Sequence, residues 1–415
     1  MTEQIKKAPR PPDPNSGKYK LDYIANKVIK DAFEAKARGE KVGWCSSAFP
    51  KEIIETLGIP VVYPESHAVV VAARGGGQRM CEVAEAEGYS NDICAYARIA
   101  IAYATKVKDT PEQNIPLPDF LLCCSNICNT MINWYENLAK ELNIPLIMLD
   151  IPINPDNEIS DAQFAYVKGQ LLAAIKQLEE LTGKKWSDER FKEVLKMNKR
   201  VCQAFLEVTS LGKHVPSPYS GFELFNLMGP MMFARQKAET LDAIETCLKE
   251  YKENLAKGVS TFKAEEKYRI ISEGIACWPW LRVTYNGLKN RGINMVTTIY
   301  AVAPGFLLYD DFDGMIRASC RVPMAINLQT SRDDRVKLIK DSNVDGMLVH
   351  VNRSCKVWSG FLYEMCRQVA EECNIPVAYF DGDQADPRVF SEAQYETRVQ
   401  GLAEIMESRK GDVKA

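Results

Sequence analysis

Cys94, Cys128 and Cys355 carry the sharpest chemistry the chain offers. Cys128 and Cys355 follow apolar runs, Phe120-Leu-Leu-Cys-Cys124 and Met347-Leu-Val-His-Val351, and each precedes an amphipathic stretch. This pattern predicts a thiol just past the carboxyl end of a strand, near the first turn of the next helix. Ligands gather at strand carboxyl ends in open α/β sheets, and a helix amino terminus lowers a thiol's pKa and favours a bound anionic cluster. Two thiols so placed suggest a shared ligand, since thiolates distant in sequence can hold an iron-sulfur cluster when two domains face each other. Cys94, in Asn91-Asp-Ile-Cys94-Ala-Tyr-Ala-Arg98, is the candidate third ligand. Ser90 is its expected helix cap, which puts Cys94 in a first turn as well. The competing reading is inert packing, the ordinary role of a free cysteine and the one expected for most of the thirteen. Spacing alone leaves both readings open.

Other candidates have plainer readings. By residue type Ser47 is an ST-turn and Glu65 an exposed loop carboxylate. Cys123 and Cys124 alternate within a strand and face opposite sheet layers. His67 and His350, lone histidines near strand ends, are expected to be structural. Ala73-Arg-Gly-Gly-Gly-Gln78 lacks the Lys-Ser/Thr ending of a P-loop and reads as a turn. The three carboxylates of Asp381 to Pro387 read as loop and cap chemistry before a cation site.

The elements that must position these residues form an internal repeat. Asp119 to Asp150 and Asp345 to Asp381 share one order: strand, link ending in cysteine, helix, Asn-Ile-Pro, strand. The cysteine-to-Asn intervals are 15 and 19 residues, a difference of about one helical turn. Each copy is a parallel βαβ unit with a right-handed crossover. A second pair precedes them: Val42–Trp44, a helix from Pro50 to Leu57 and Val61–Tyr63; then Ile270–Cys277, a helix near Leu281 to Lys289 and Met295–Val302. Cys45 and Cys277 fall at matching strand ends. Ser160 to Gly258 is helical throughout, with Leu171, Leu172, Ile175, Leu178 and Leu181 expected on one face. The expected fold is α/β, with two related Rossmann/flavodoxin-like parallel-sheet domains and a helical domain between them. Boundaries are an arm and helix over 1–37, a first α/β domain over 38–158, a helical domain over 159–262 and a second α/β domain over 263–415. Asp156 to Ser160 and Lys257 to Lys267 are the polar junctions.

Bulk properties narrow the partners. Fifty-two basic against 55 acidic residues give a net charge of −3, so no field draws in nucleic acid or an anionic membrane. The apolar stretch Phe225 to Ala234, interrupted by Gly229 and Pro230, is far short of the ~20 residues a membrane span needs. The polar, Pro-rich Met1 to Tyr19 has no secretion signal, so a cytoplasmic protein is expected, where disulfides are rare.

Several motifs together resemble the alpha-type subunits of 2-hydroxyacyl-CoA dehydratases across nearly the whole chain. They are Gly43-Trp-Cys-Ser-Ser-Ala-Phe-Pro50, Tyr63-Pro-Glu65, Cys94-Ala-Tyr-Ala-Arg98, Cys124-Ser-Asn-Ile-Cys-Asn129, Trp134-Tyr-Glu136, Asn352-Arg-Ser-Cys-Lys356 and Asp381-Gly-Asp-Gln-Ala-Asp-Pro387. The resemblance implies a 4Fe-4S cluster on Cys94, Cys128 and Cys355, with one non-protein ligand on the fourth iron. It assigns Ser47 to hydrogen-bonding that ligand or the substrate, and Glu65 to the same pocket as a polar or acid-base group. The implied reaction is oxygen-sensitive radical dehydration of an (R)-2-hydroxyacyl-CoA to the (E)-2-enoyl-CoA through a ketyl radical. Implied partners are a homologous beta-type subunit in a heterodimer and a separate ATP-dependent iron-sulfur activator; this chain has no P-loop of its own. Val42 to Ser47 and Lys356 to Phe361 look closest to the phenyllactoyl branch, with lactoyl and branched-chain acyl groups open. A benzoyl-CoA-reductase-like subunit and a non-catalytic electron-relay subunit are the alternatives.

Overall fold

The computed structural model describes residues 13–153, 158–323 and 326–412. The first twelve residues of the expected arm, Asp156 at the expected junction and the last three residues lie outside these.

Among the described residues, eight strands make two four-stranded parallel sheets. β1 (Gly43–Cys45), β2 (Val61–Val62), β3 (Phe120–Cys124) and β4 (Leu146–Leu149) run in the order β2-β1-β3-β4. β5 (Tyr268–Glu273), β6 (Ile293–Thr297), β7 (Gly346–Asn352) and β8 (Val377–Gly382) repeat it as β6-β5-β7-β8. Each sheet has the flavodoxin-like order, with a topological switch between its first and third strands. The two related α/β units expected from the repeat are therefore present.

Strands covered on both faces read as continuous apolar runs, and β3 is buried at every position. One face of each sheet joins a single continuous core, with Trp44, Leu121 and Cys123 from one and Ile271, Met347 and Val349 from the other. The opposite face of the first sheet, Phe120, Leu122 and Cys124, is covered by the helices Lys51–Leu57, Asp161–Thr182 and Asp188–Ser210. That of the second, Ile270, Met295 and Leu348, is covered by Leu281–Lys289 and Glu392–Asp412. Cys123 and Cys124 thus face opposite layers, as their alternation predicts.

The repeat holds to the level of single dihedrals. Asn143 and Asn374 end the equivalent helices in the left-handed region, at φ 50° and 51°, a conformation Asn tolerates better than most residues. The four extra residues of the second copy form a separate turn, Lys356–Ser359, ahead of Leu362–Cys373, where the first copy runs unbroken over Asn129–Leu142.

Four local expectations are corrected. β5 ends at Glu273 and not at Cys277, because Gly274 turns the chain at φ 95°, against the carbonyl of His350. Cys277 therefore lies beyond the strand end and does not match Cys45. The segment Met295 to Val302 is not one strand: β6 stops at Thr297 and Ile299–Val302 is a helical turn. Leu172 is 53% exposed, since the buried stripe of its helix runs through Val167, Leu171, Ala174, Ile175 and Leu178. Gly229 and Pro230 do not interrupt the helix Glu223–Phe233. Among the described residues no helix is long and apolar enough to cross a membrane.

Candidate active site

A cavity of about 920 Å³ is lined from both sheets, by residues following β1 (Ser47), β3 (Cys128), β5 (Ile275), β7 (Cys355) and β8 (Gln384). Strand carboxyl ends converge there, where the switch points favour ligand binding. Cys94 and Glu65 line the same space. All five residues singled out in the sequence thus meet at one cavity.

Burial separates the three cysteines from most of the others. Of thirteen free cysteines nine are buried, and the four partly exposed ones are Cys94, Cys128, Cys355 and Cys373. Each of the three cavity cysteines immediately precedes a helix: Ala95–Ala102, Asn129–Leu142 and Lys356–Ser359. Ser90 is not the cap expected for the first; its hydroxyl accepts the Asp92 N–H, and Cys94 itself occupies the cap position. The backbone N–H groups of Ala97 and Tyr96 near Cys94, of Met131 and Thr130 near Cys128 and of Trp358 near Cys355 favour the charged form of each thiol. Burial pushes all three thiols up, Cys94 to about 12, and their mutual proximity pushes Cys94 and Cys355 further the same way.

These donors fit an iron-sulfur cluster. Soft thiolates beside amide N–H groups are its usual protein environment, and the cluster's iron would supply the positive charge that buried thiolates need. Among the described residues no three His, Cys, Asp or Glu side chains crowd a single point as one ion would require. A cluster instead takes its thiolates on separate irons around a larger body.

The two halves are tied together beside these sulfurs. Ala95 N–H donates to Ser354 Oγ at 3.0 Å, bridging the residues next to Cys94 and Cys355. Gln384 Nε2 donates to Ser354 Oγ at 2.9 Å and to Cys94 Sγ at 3.5 Å. Asp383 accepts the backbone N–H groups of Ser354, Ala385 and Asp386. The segment Asp381 to Pro387 is loop-and-cap chemistry, as expected, yet its Gln384 lines the cavity.

Glu65 is not the exposed carboxylate its residue type suggests. It sits in the first turn of the helix Pro64–Ala73 and is 9% exposed. Its Oε1 accepts the Ser47 N–H at 2.9 Å, while Oε2 has no partner among the described residues. Burial raises its pKa against the lowering effect of the Ser47 hydrogen bonds. His67 and His350 hold the carbonyls of Gln113 and Ile275 and do not line the cavity, in keeping with structural roles. Of Ala73 to Gln78, only Arg74 to Gly76 form a turn, with Gly75 at φ 92°, between the helices Pro64–Ala73 and Gly77–Ala86.

Sequence reasoning missed Gln384, Lys51 and the apolar helix Glu223–Phe233, which contributes Phe225, Met228 and Phe233 to the cavity wall. The last had a signal in its dense apolar run, read only as a membrane question.

Two α/β units converging on a cysteine-lined cavity are found here in a chain whose residues 46–406 match the family model "2-hydroxyglutaryl-CoA dehydratase, D-component". The chain belongs to that family, in agreement with the resemblance in its motifs. It is 51% identical to the (R)-phenyllactyl-CoA dehydratase alpha subunit of Clostridium sporogenes, over 95% of this chain and 96% of the relative. It is 44% identical to the (R)-2-hydroxyisocaproyl-CoA dehydratase alpha subunit of Clostridioides difficile, over 94% and 95%. With the (R)-2-hydroxyglutaryl-CoA dehydratase alpha subunit of Acidaminococcus fermentans it shares 39% identity, over 94% and 97%.

Proposed function

We propose that this chain is the cluster-bearing alpha subunit of a 2-hydroxyacyl-CoA dehydratase, in which Cys94, Cys128 and Cys355 hold one 4Fe-4S cluster with its fourth iron left to a non-protein ligand. The observation that carries the reading is the convergence of three cysteines, each at the residue before a helix, on the cavity that Ser47 and Glu65 also line. The relatives supply the reaction class and, as alpha subunits, imply a second subunit. A separate ATP-hydrolysing iron-sulfur protein is the proposed source of the electron.

Simple acid-base elimination is mismatched to this substrate, because the thioester acidifies position 2 while the proton to be lost is on position 3. When bound, the cluster supplies one-electron reduction and Lewis acidity at the thioester carbonyl. The chain's own residues orient the substrate and handle its proton. Ser47 holds Glu65 Oε1, so that Oε2 is the oxygen free to exchange a proton with the acyl chain, and burial biases that carboxyl toward its protonated form. Phe225, Trp278, Tyr300 and Trp358 give the cavity aromatic walls that exclude water and suit an aryl-bearing acyl group, the class named for the 51% identical relative.

Anaerobic purification with the second subunit tests this. Alanine at Cys94, Cys128 or Cys355 is expected to remove the share of bound iron, sulfide and visible absorbance that this chain contributes. S47A and E65Q are expected to keep the cluster and lose turnover by about 100-fold or more. Unchanged turnover in both would favour an electron-relay subunit. Across a panel of 2-hydroxyacyl-CoAs, kcat/KM for an aryl substrate should exceed that for lactoyl-CoA at least ~10-fold, since each added buried carbon contributes about 0.8 kcal/mol.

A further inference from the structure

Lys51 is the one buried lysine among the described residues, 3% exposed, and it lines the same cavity as Ser47 and Glu65. Lysine is almost never buried without a paired charge. Here no carboxylate of the described residues stands within ion-pair distance of its ammonium. Glu52, next in sequence, is already engaged by Arg235 at 2.9 Å and by Gln236 at 2.8 Å. Glu55 is taken by Arg190 and Lys237. Lys51 donates to the Ser47 carbonyl and lies 5.5 Å from the centre of the Tyr63 ring. An ammonium has three donors, so donor capacity is left over in the cavity that Glu65 also lines, where Glu65 Oε2 has no partner among the described residues. The two are close enough to influence each other's charge.

We propose that Lys51 is a substrate-binding residue whose ammonium donates a hydrogen bond to the 2-hydroxyl oxygen of the acyl-CoA. The assignment rests on the dehydratase reading, which gives the thioester carbonyl to the cluster and leaves the 2-hydroxyl as the nearby oxygen in need of a donor. A CoA phosphate is a poor alternative, because Lys51 lies buried within the fold, at the start of the helix Lys51–Leu57. Burial lowers its pKa to about 8, with the neighbouring Arg235 acting in the same direction, so at neutral pH the side chain remains a cation with an incompletely satisfied charge. An oxygen that gains negative charge as it departs is the partner such a group accommodates best.

Binding without turnover tests this, using the heterodimer without ATP or reductant. Dissociation constants are measured for (R)-phenyllactoyl-CoA and for 3-phenylpropionyl-CoA, which differ only in the 2-hydroxyl. The native protein is expected to favour the hydroxylated compound by about tenfold or more, as a hydrogen bond to a charged group implies. K51M and K51Q should bring the ratio to near unity while leaving affinity for 3-phenylpropionyl-CoA within about threefold. K51R should restore part of the preference. K51Q keeps a donor for the Ser47 carbonyl, so the comparison survives if K51M fails to fold. A native-like ratio in K51Q, or an equal loss of affinity for both compounds, would reduce Lys51 to a strut for the Ser47 loop and overturn the proposal. If the native protein binds neither compound, the dehydratase reading itself fails.

Discussion

At the scale of single residues, burial moves ionisable groups in directions that chemistry and stability can both detect. His67 is 1% exposed and His350 3%, and desolvation brings both down to about 4 from an ordinary 6.5, against the opposing pull of the carbonyls they hold. In the unfolded chain both regain the ordinary value, so between pH 6.5 and 4 the unfolded state binds more protons. Their contribution to stability is therefore fully present above about pH 6.5 and is lost as pH falls toward 4. The expected slope is at most about 1.4 kcal/mol per pH unit for each histidine within that window. Glu65 has the opposite sign, because a raised carboxyl makes the folded state the better proton binder just above the ordinary carboxylate range. Urea unfolding at pH 7.5, 6.5 and 5.5 should show stability dropping across the last interval, and H67Q should remove about half of that drop. A variant with the native slope would show that His67 is protonated in the fold.

At the scale of elements, the repeat predicts equal behaviour at two positions 231 residues apart in sequence, Asn143 and Asn374. Both end a helix in the left-handed region, so alanine at either should cost about 1 kcal/mol, because it keeps the Cβ and loses the side-chain amide that eases this conformation, while glycine, with no Cβ, should be neutral or slightly stabilising. The two losses should add in the double variant, since the two helices pack against separate sheets. Thermal or denaturant melts of N143A, N374A and the pair are the check, and a cost at one position alone would break the equivalence. These elements were legible because period, strand composition and Asn-Ile-Pro leave local marks in the sequence. Strand ends were less so: Gly274 ends β5 because the His350 carbonyl comes close to it, a contact made across the sheet. Gln384 reaches Cys94 over 290 residues, and nothing local announces such a contact. Lys51 follows the Gly43 to Pro50 motif, but its neighbour Arg235 comes from much later in the chain.

At the scale of the whole molecule, the candidate site exists only if the halves stay in register, and a buried charge network spans them. Arg98, 1% exposed in its side chain, pairs with Asp386 at 3.0 Å and with Glu85 at 2.5 Å, while Arg388 closes the group onto the same two carboxylates. Arg98 also donates to the Ile93 carbonyl, one residue before Cys94. The guanidinium thus fixes the turn that presents Cys94 and binds it to the loop that presents Gln384. Removing one partner of a buried pair leaves the other desolvated, which costs more than the intact pair contributes. R98M should accordingly destabilise the protein by about 3 kcal/mol, the lower end of the usual range because Arg388 still faces Asp386. The same variant should raise amide hydrogen exchange at Ala95, whose N–H crosses to Ser354, while the amides of β3 keep their protection. If R98M loses stability but Ala95 stays as protected as before, the network braces each half separately, and the alignment of Cys94 with Cys355 must come from the shared apolar core.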